Sequence, residues 1–275
     1  MDLTSVKNIK ELLAKHDASP SKYMGQNFLI DKSVLNKIIT ASELTKKDTV
    51  LEIGPGLGTL TTALAENAGK VIAIEKDRMM IQILKEHFKD TSHIEILEGD
   101  VLQTTNYKLP AHYKLIANIP YYITSPIIRK FLEEKNQPEF MVLMVQKEVA
   151  QRICATPPQM SILSASVQFY ANPKIIAYVS KECFWPAPNV DSAIIKIVPH
   201  KNKPDVKPED FFTVMKAGFL HPRKQLANNL SVALKKPREE ICVWLLKNNI
   251  EPQRRAETLT MQNWIDLALN YKTLT

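Results

Sequence analysis

Short apolar segments alternate with helix-like segments along the first half of the chain. The apolar segments lie at residues 49–53, 70–75, 94–97, 114–117 and 140–145. Because strand–helix–strand connections are right-handed and join parallel strands, this alternation predicts an α/β fold with a mainly parallel sheet. Two further strand-like runs, at 174–179 and 192–198, have no long helix between them. They predict an antiparallel hairpin at one edge of the sheet.

The pattern changes near residue 200. The segment at 201–208 is polar and interrupted by proline, which is typical of a linker. The segments that follow have helical patterns at residues 209–219, 223–234, 238–247 and 262–269. We therefore predict a larger α/β domain over residues 1–200 and a small all-α domain over residues 201–275.

The stretch between the last two predicted strands, residues 180–191, contains Pro186 and Pro188 and predicts an irregular loop. At the other end of the chain, residues 1–17 read as a polar amphipathic helix rather than as an export signal. The longest apolar runs, residues 140–145 and 241–246, are far too short to span a bilayer. We expect a cytoplasmic protein with no membrane association.

Composition excludes two kinds of site. Cys154, Cys183 and Cys242 are widely spaced and include no C-x-x-C pair, so they predict reduced thiols rather than a disulfide framework or a zinc site. The six histidines also lack ligand spacing, and we predict no metal. Charge is unevenly distributed: residues 196–275 carry 14 basic and 8 acidic side chains, and therefore six of the seven net positive charges. The C-terminal part is the candidate surface for a polyanion, although an ordinary soluble basic face would have the same charge.

The strongest local motif is EIGPGLGT at residues 52–59, directly after the first predicted strand of the sheet. Gly54, Gly56 and Gly58 are three of only seven glycines in the chain. Glycines at a strand-to-helix turn allow a tight backbone path and close approach of a ligand. Glu75 ends the next strand, where a carboxylate can accept hydrogen bonds from both hydroxyls of a ribose. The spacing G-x-G-x-G favours S-adenosylmethionine over a dinucleotide without excluding the latter.

Two polar positions follow later strands. Asp100, after the third strand, is placed to accept from the amine of a bound adenine, and it could equally be a helix N-cap. Asn118-Ile119-Pro120-Tyr121 follows the fourth strand, at the carboxyl ends where open α/β sheets bind ligands.

This tetrapeptide matches the needs of methyl transfer to an adenine amine. That nitrogen is a poor nucleophile because its lone pair is delocalised into the ring. Two acceptors aimed at its hydrogens, the Asn118 side-chain oxygen and a carbonyl such as that of Ile119, would favour the tetrahedral geometry it must reach. Pro120 holds the backbone rigid, and Tyr121 can stack on the base.

A second aromatic segment could form the other wall of a base clamp. Phe184 and Trp185 lie between the last two strands, at the sheet end that also carries Tyr121. Two aromatic walls can hold a base taken out of its stack. The alternative is that one or both side chains belong to the core, and this is the favoured interpretation for Trp185.

Together these motifs resemble the ribosomal RNA adenine dimethyltransferase family, in particular its small-subunit branch, which is associated with kasugamycin sensitivity in bacteria. The matching segments are residues 25–29 (GQNFL), 52–58 (EIGPGLG), Glu75, Asp100, 118–121 (NIPY), 146–149 (QKEV), 184–192 (FWPAPNVDS), 223–226 (RKQL) and 228–230 (NNL). The resemblance implies a Rossmann-like seven-stranded class I methyltransferase sheet and a helical C-terminal domain that docks on the ribosome. It also implies dimethylation of two adjacent adenines near the 3′ end of small-subunit RNA in a pre-30S particle, by a monomeric enzyme.

The resemblance further assigns residues to the S-adenosylmethionine site. Asn27 and Leu29 would fold over the cofactor, Gly54 would approach its methionine end, and Asn118 would lie between cofactor and target base. The remaining cofactor residues are Gln26, Gly56, Glu75 for the ribose, Asp100 for the adenine amine, and Val101.

In the C-terminal domain, Arg223 and Lys224 would bind RNA. The chain has Asn189 and Pro222 where the family usually has basic residues, which affects the details of RNA docking rather than the chemistry.

Three other functions fit part of the pattern. A large-subunit adenine methylase of the macrolide-resistance type shares the Asn-Ile-Pro-Tyr type of motif. A non-catalytic RNA-binding or assembly factor could retain the same fold and pocket. A dinucleotide oxidoreductase is disfavoured by the glycine spacing.

Overall fold

The computed structural model describes residues 1–21, 23–103 and 108–274, apart from the side chain of Thr273. The chain divides into two compact units. The first consists of Met1–Ala150 and Pro173–Pro199, and the second of Gln151–Asn172 and His200–Thr275.

The first unit contains the large sheet that the alternating pattern predicts. Its strands are β2 (Thr49–Ile53), β3 (Lys70–Glu75), β4 (Ile94–Glu98), β5 (Lys114–Asn118), β6 (Met141–Gln146), β7 (Ala171–Val179), whose first two residues belong to the second unit, and β9 (Ser192–Pro199). Within the described residues the sheet has seven strands in the order β4-β3-β2-β5-β6-β9-β7. Strands β2 to β6 pair in parallel, and β9 runs antiparallel to β6. The predicted α/β fold and seven-stranded sheet are thereby confirmed.

Three helices connect consecutive parallel strands: α3 (Thr59–Asn67), α4 (Arg78–His87) and α5 (Thr124–Glu133). Helices α1 (Val6–Lys15) and α2 (Lys32–Ser42) precede β2, and α6 (Lys147–Ile153) follows β6. The central strands β2, β5 and β6 are buried along almost their whole length, because helices cover both faces of a parallel sheet. Strand β7 lies at the sheet edge, next to β9, and partly buried and exposed residues alternate along it between two buried ends.

A short ribbon forms where the sequence predicts an irregular loop. Strand β1 (Phe28–Leu29) pairs antiparallel with β8 (Phe184–Trp185), with Phe28 opposite Trp185 and Leu29 opposite Phe184. The loop prediction for residues 180–191 is therefore wrong at β8. Two-residue strands carry no periodicity, and the partners of this pair lie far apart in sequence.

The second unit is helical outside the start of β7. Its helices are α7 (Ile162–Gln168), α8 (Pro208–Gly218), α9 (Leu226–Leu234), α10 (Arg238–Lys247) and α11 (Met261–Leu269), and α6 ends within it. The start of the unit at His200 lies one residue from the predicted domain boundary. Residues 151–172, however, were expected in the first domain. They join the second unit because Met160, Ala165 and Phe169 pack in the same core as Phe211, whose ring stacks on Phe169 at 4.1 Å between centroids.

One helix start differs from the sequence-based prediction. The pattern predicts a helix from residue 223, but α9 begins at Leu226. A turn precedes it, in which the Lys224 N–H donates to the His221 carbonyl at 3.0 Å. Across the described parts of both units, no helix combines the length and apolar character that a membrane crossing needs.

Candidate cofactor and base-binding site

A cavity of about 370 Å³ opens in the first unit at the carboxyl ends of β2, β3 and β5. Parallel strands end at the same edge of a sheet, so the polar residues that follow each strand meet there. The sequence-predicted site residues among its lining are Gln26, Asn27, Leu29, Gly54, Gly56, Glu75, Asp100, Val101, Asn118, Ile119, Pro120 and Tyr121. Residues far apart in the chain are therefore brought to one place.

The glycine motif forms the turn between β2 and α3. Gly54 and Gly56 have φ angles of +66° and +58°, which strain any residue with a Cβ atom. A Cβ atom at Gly56 would also lie 3.2 Å from Cε1 of Phe28. Glycine is therefore strongly favoured at both positions, and the tight turn keeps the backbone close to the cavity.

The Glu75 carboxyl group holds this turn in place from the end of the neighbouring strand. Its Oε2 accepts from the Gly56 N–H at 3.0 Å. Its Oε1 accepts from the N–H groups of Lys76 at 2.8 Å and Asp77 at 2.9 Å. Burial raises the pKa of Glu75 above its ordinary value, and these three donors offset only part of that effect. A carboxylate oxygen has more than one lone pair, so Glu75 retains acceptor capacity for a ligand hydroxyl.

Glu52 is a second carboxyl group of the cavity lining, one for which the sequence suggested no role. The residue is 1% exposed, and among the described residues its Oε2 has no hydrogen-bond partner. Burial, with a contribution from the charge of Glu75, raises the pKa of Glu52 to about 8. At neutral pH Glu52 is therefore mainly protonated, and the cavity carries less negative charge than its three carboxyl groups would suggest.

Asp100 faces the cavity from the loop after β4. Its Oδ2 forms an ion pair with Nζ of Lys76 at 2.9 Å, and its Oδ1 accepts from the Leu102 N–H at 3.0 Å. Burial raises the pKa of Asp100, but the bonds from Lys76 and Leu102 outweigh it, and the pKa lies below its usual value. Asp100 is thus an ionised acceptor at neutral pH.

The side chain of Gln26 anchors the segment before β1 to the residues that follow β3. Gln26 donates through Nε2 to Oδ2 of Asp77 at 2.8 Å and accepts through Oε1 from the Ser21 N–H at 2.8 Å. Asp77 is also the N-cap of α4. Gln26 therefore ties this segment to the strand end that carries Glu75. Asn27, the next residue, bonds through Nδ2 to the Gly25 carbonyl at 3.1 Å.

The Asn-Ile-Pro-Tyr segment leaves the sheet at the end of β5. Asn118 donates through Nδ2 to the Asn27 carbonyl at 3.4 Å, which leaves its Oδ1 as an acceptor for a ligand. The Ile119 N–H donates to the Met144 carbonyl on β6 at 3.3 Å. The Tyr121 hydroxyl shares a 2.6 Å hydrogen bond with Oγ of Ser192, which is fully buried at the start of β9. Burial raises the pKa of Tyr121, so its hydroxyl stays neutral.

The structure does not bring Phe184 to the cavity. The Phe184 side chain is 3% exposed and packs in the core with residues such as Leu29 and Val34, which is the alternative that the sequence allowed. Its pairing with Leu29 across the β1–β8 ribbon draws it inwards. Trp185, on the other face of the ribbon, packs against the core, and Nζ of Lys10 lies 5.7 Å from its ring centroid. The predicted second aromatic wall is therefore wrong for Phe184, whereas Trp185 packs against the core as the favoured interpretation of the sequence had it.

Three residues at this site have a protonation state or hydrogen bonds that were not predicted from the sequence. Glu52 belongs to a recognised motif, but its protonation follows from burial, which local sequence does not show. Lys76 and Ser192 act through partners 24 and 71 residues away. A polar residue at the first position of a mainly apolar strand is the signal that could have pointed to Ser192.

The buried Glu52 makes the stability of the fold depend on pH. Its folded-state pKa lies above the unfolded value of 4.5, so the folded state binds the proton more tightly. The free energy of unfolding should therefore contain a contribution that is present below pH 4.5 and is lost as pH rises towards 8. In Glu52→Gln, which cannot ionise, this loss should disappear. Denaturant unfolding of both proteins between pH 5 and 8.5 measures the difference, and parallel pH profiles would contradict a protonated Glu52.

Comparison with known proteins assigns the chain that forms this cavity to a family. The model of the ribosomal RNA adenine dimethylase family matches residues 19–271. Ribosomal RNA small subunit methyltransferase A of Dehalococcoides mccartyi (strain CBDB1) is 45% identical, over 95% of this chain and 92% of its own length. The protein of the same name from Clostridioides difficile (strain 630) is 41% identical, over 95% and 94%.

Solved structures agree with this assignment. A dimethyladenosine transferase from Plasmodium falciparum is 28% identical with a TM-score of 0.78, over 90% of this chain and 98% of that chain. The 23S rRNA methyltransferase ErmE is 25% identical with a TM-score of 0.73, over 90% and 100%. The motifs, the sheet order and these matches lead to one conclusion: the chain belongs to the ribosomal RNA adenine dimethylase family of methyltransferases.

Proposed function

We propose that this enzyme uses S-adenosylmethionine to dimethylate the 6-amino groups of two adjacent adenines near the 3′ end of small-subunit (16S) ribosomal RNA. The observation that carries the proposal is the position of Asn118 at the end of β5. Its Nδ2 is bonded to the Asn27 carbonyl, and its Oδ1 remains as an acceptor in the wall of the cavity.

The residues of the cavity fit this cofactor by their chemistry. S-adenosylmethionine supplies an electrophilic methyl group on a positively charged sulfur. Ionised Asp100 would accept from the adenine amine, and the remaining lone pairs of Glu75 would accept from the ribose hydroxyls. The unpartnered Oε2 of buried Glu52 gives the lining a further polar atom that a ligand can satisfy.

The other predicted cofactor residues would shape the pocket around the ligand. Gly54 would allow the methionine end to approach the backbone, and Gly56 would hold Glu75 through its N–H. Leu29 and Val101 are buried apolar walls, with exposures of 3% and 5%. Gln26 and Asn27 would act mainly by fixing the segment that covers this side of the cavity.

Chemistry at the target nitrogen would depend on two acceptors. Oδ1 of Asn118 and the carbonyl oxygen of Ile119 would accept the two amine hydrogens, and this favours the tetrahedral nitrogen that carries the developing positive charge. Pro120 restrains the backbone that presents the Ile119 carbonyl, and Tyr121 would stack on the base. The methylated nitrogen loses its extra proton readily to water, so no dedicated general base is required.

The second unit would dock the enzyme on RNA. Arg223 and Lys224 are exposed in the turn before α9, where their charges can reach phosphate groups. The substrate we propose is the RNA within a pre-30S particle, reached by a monomeric enzyme in the cytoplasm. We likewise propose residues 1–200 as the catalytic part and residues 201–275 as the principal docking part.

The choice of the small subunit over the large subunit follows from the relatives. Proteins named ribosomal RNA small subunit methyltransferase A are 38–45% identical to this chain over at least 94% of its length. ErmE, whose name specifies 23S rRNA, is 25% identical. The direct test is incubation with labelled methyl donor and undermethylated small subunits, followed by nucleoside analysis. Dimethyladenosine in small-subunit RNA is the expected product, and its absence would contradict the proposal.

Replacement of Asn118 by Ala should lower the turnover number by at least about 100-fold, because one of two preorganised acceptors is lost. The fold should be retained, since the side chain makes a single long hydrogen bond to Asn27. Turnover and thermal unfolding of the same preparation separate the two effects. Near-normal turnover would remove the amine-activation step from the mechanism.

Ser192 should act by positioning Tyr121. In Ser192→Ala and in Tyr121→Phe the shared hydrogen bond is absent, so each should reduce kcat, and the double variant should be no worse than the more affected single variant. Ser192→Thr, which keeps the hydroxyl, should recover part of the rate. Spectrophotometric titration of Tyr121, with Tyr121→Phe as the blank, should show a higher phenol pKa in Ser192→Ala, because a bond that lowers it is lost. Additive rate losses would show that the two groups act independently.

Neutralising Arg223 and Lys224, in the turn before α9, should weaken binding to the small ribosomal subunit and reduce the salt dependence of that binding. Each phosphate contact contributes about −0.9 to the slope of log affinity against log salt for duplexes and about −0.7 for single strands. Arg223→Gln/Lys224→Gln should therefore flatten the slope by one to two units. Glu239→Gln/Glu240→Gln, in the first turn of α10, serves as the charge control. An unchanged slope in the first variant would place the docking surface elsewhere.

A further inference from the structure

Two exposed tyrosines line the cavity without a part in the chemistry described above. Tyr122 is 63% exposed and Tyr23 is 93% exposed, although both belong to the cavity lining. Large aromatic side chains usually lose most of their exposure on folding. Rings left in solvent beside a binding cavity indicate a surface that a ligand covers.

The two tyrosines of the Pro-Tyr-Tyr sequence differ in exposure, although they are neighbours in one short turn. Tyr121, Tyr122 and Ile123 form a 3₁₀ turn directly after Pro120. Tyr121 is partly buried, with its hydroxyl bonded to Ser192. Tyr122 points to solvent from the next position. The same turn therefore supplies a fixed ring within the cavity and an exposed ring at its edge.

Tyr23 lies on the same side of the cavity as Tyr122. A Cβ atom at Gly25 would lie 3.9 Å from Cδ1 and Cε1 of the Tyr122 ring, so the chain just after Tyr23 passes against that ring. Lys76, whose side chain is 61% exposed, also belongs to the lining of this cavity.

We propose that Tyr122, with Tyr23 beside it, forms a second base-binding site that stacks the purine next to the target adenine. The inference rests on the proposed function. The neighbouring nucleotide shares a phosphate with the target, so it must remain at the rim while the target base occupies the cavity. Stacking on an aromatic ring needs no particular hydrogen-bonding edge, but a two-ring purine offers more stacking area than a one-ring pyrimidine, so such a site favours adenine over cytosine. When the two adenines are adjacent targets, each would occupy the rim site while the other is methylated.

The test combines changes in the enzyme and in the RNA. The variants are Tyr122→Ala, Tyr122→Phe and Tyr23→Ala. Tyr178→Ala is the matched control, because Tyr178 is 53% exposed on β7 and is not part of the cavity lining. The substrates are undermethylated small subunits with both adenines, and two further preparations in which one or the other adenine is replaced by cytosine. Initial rates give kcat/KM, and calorimetry with S-adenosylmethionine gives cofactor affinity.

Loss of one stacked base should lower kcat/KM for the normal subunits by at least about fivefold in Tyr122→Ala. Tyr122→Phe, which keeps the ring, and Tyr178→Ala should remain within about twofold of the wild type. Tyr23→Ala should show a smaller loss in the same direction. Cytosine at the neighbouring position should reduce wild-type kcat/KM similarly, and Tyr122→Ala should add little to that loss. Cofactor affinity should not change.

Two results would overturn the rim site while leaving the proposed function intact. One is an active wild type with unchanged kcat/KM in Tyr122→Ala. The other is a Tyr122→Ala loss that is the same with adenine and with cytosine at the neighbouring position. A wild type that methylates no adenine in small subunits would instead overturn both the proposed function and the rim site.

Discussion

Three backbone N–H groups converge on the carboxyl group of Glu75, and much of the cavity depends on this arrangement. The donors come from both strand ends: Gly56 follows β2, and Lys76 and Asp77 follow β3. A buried carboxyl group is costly unless such donors satisfy it. The same bonds hold the glycine turn at the end of β2. The hydrogen bonds that the buried carboxyl group of Glu75 requires therefore also fix the cavity wall that a cofactor would contact.

From this centre, hydrogen bonds extend to the other walls of the cavity. Asp77, one of the donors to Glu75, accepts in turn from Gln26, whose segment leads to the Asn27 carbonyl that orients Asn118. On the opposite side, Ser192 on the antiparallel strand β9 holds the hydroxyl of Tyr121. Few of these contacts are local in sequence. Hydrogen bonds between residues far apart in sequence thus connect each wall of the cavity to the next.

The difference between local and long-range contacts also explains what could be predicted from the sequence. Strand β3 was expected at 70–75 and is observed at Lys70–Glu75, because buried strands produce apolar runs that can be read directly. The glycine turn, Glu75 and Asn118 were identified because each lies at a strand end. Phe184 was assigned to the base clamp because its loop is rich in proline and aromatic residues. Its burial depends on pairing with Leu29, and no local pattern encodes that pairing.

Several hydrogen bonds orient the groups around Asn118, and the proposed methyl transfer depends on such positioning. Methyl transfer to a weakly nucleophilic amine needs no strong base and no metal, so the rate depends on positioning, which supplies about 7–11 kcal/mol in well-oriented cases. A misplacement of about 1 Å can cost roughly 100-fold in rate. Acceptors carried on flexible side chains would lose much of this benefit. The structure instead uses the amide group of Asn118, held through Nδ2 by a backbone carbonyl, and a peptide carbonyl next to Pro120. Rigid acceptors of this kind explain why the strand ends, rather than the loops beyond them, carry the groups on which the reaction depends.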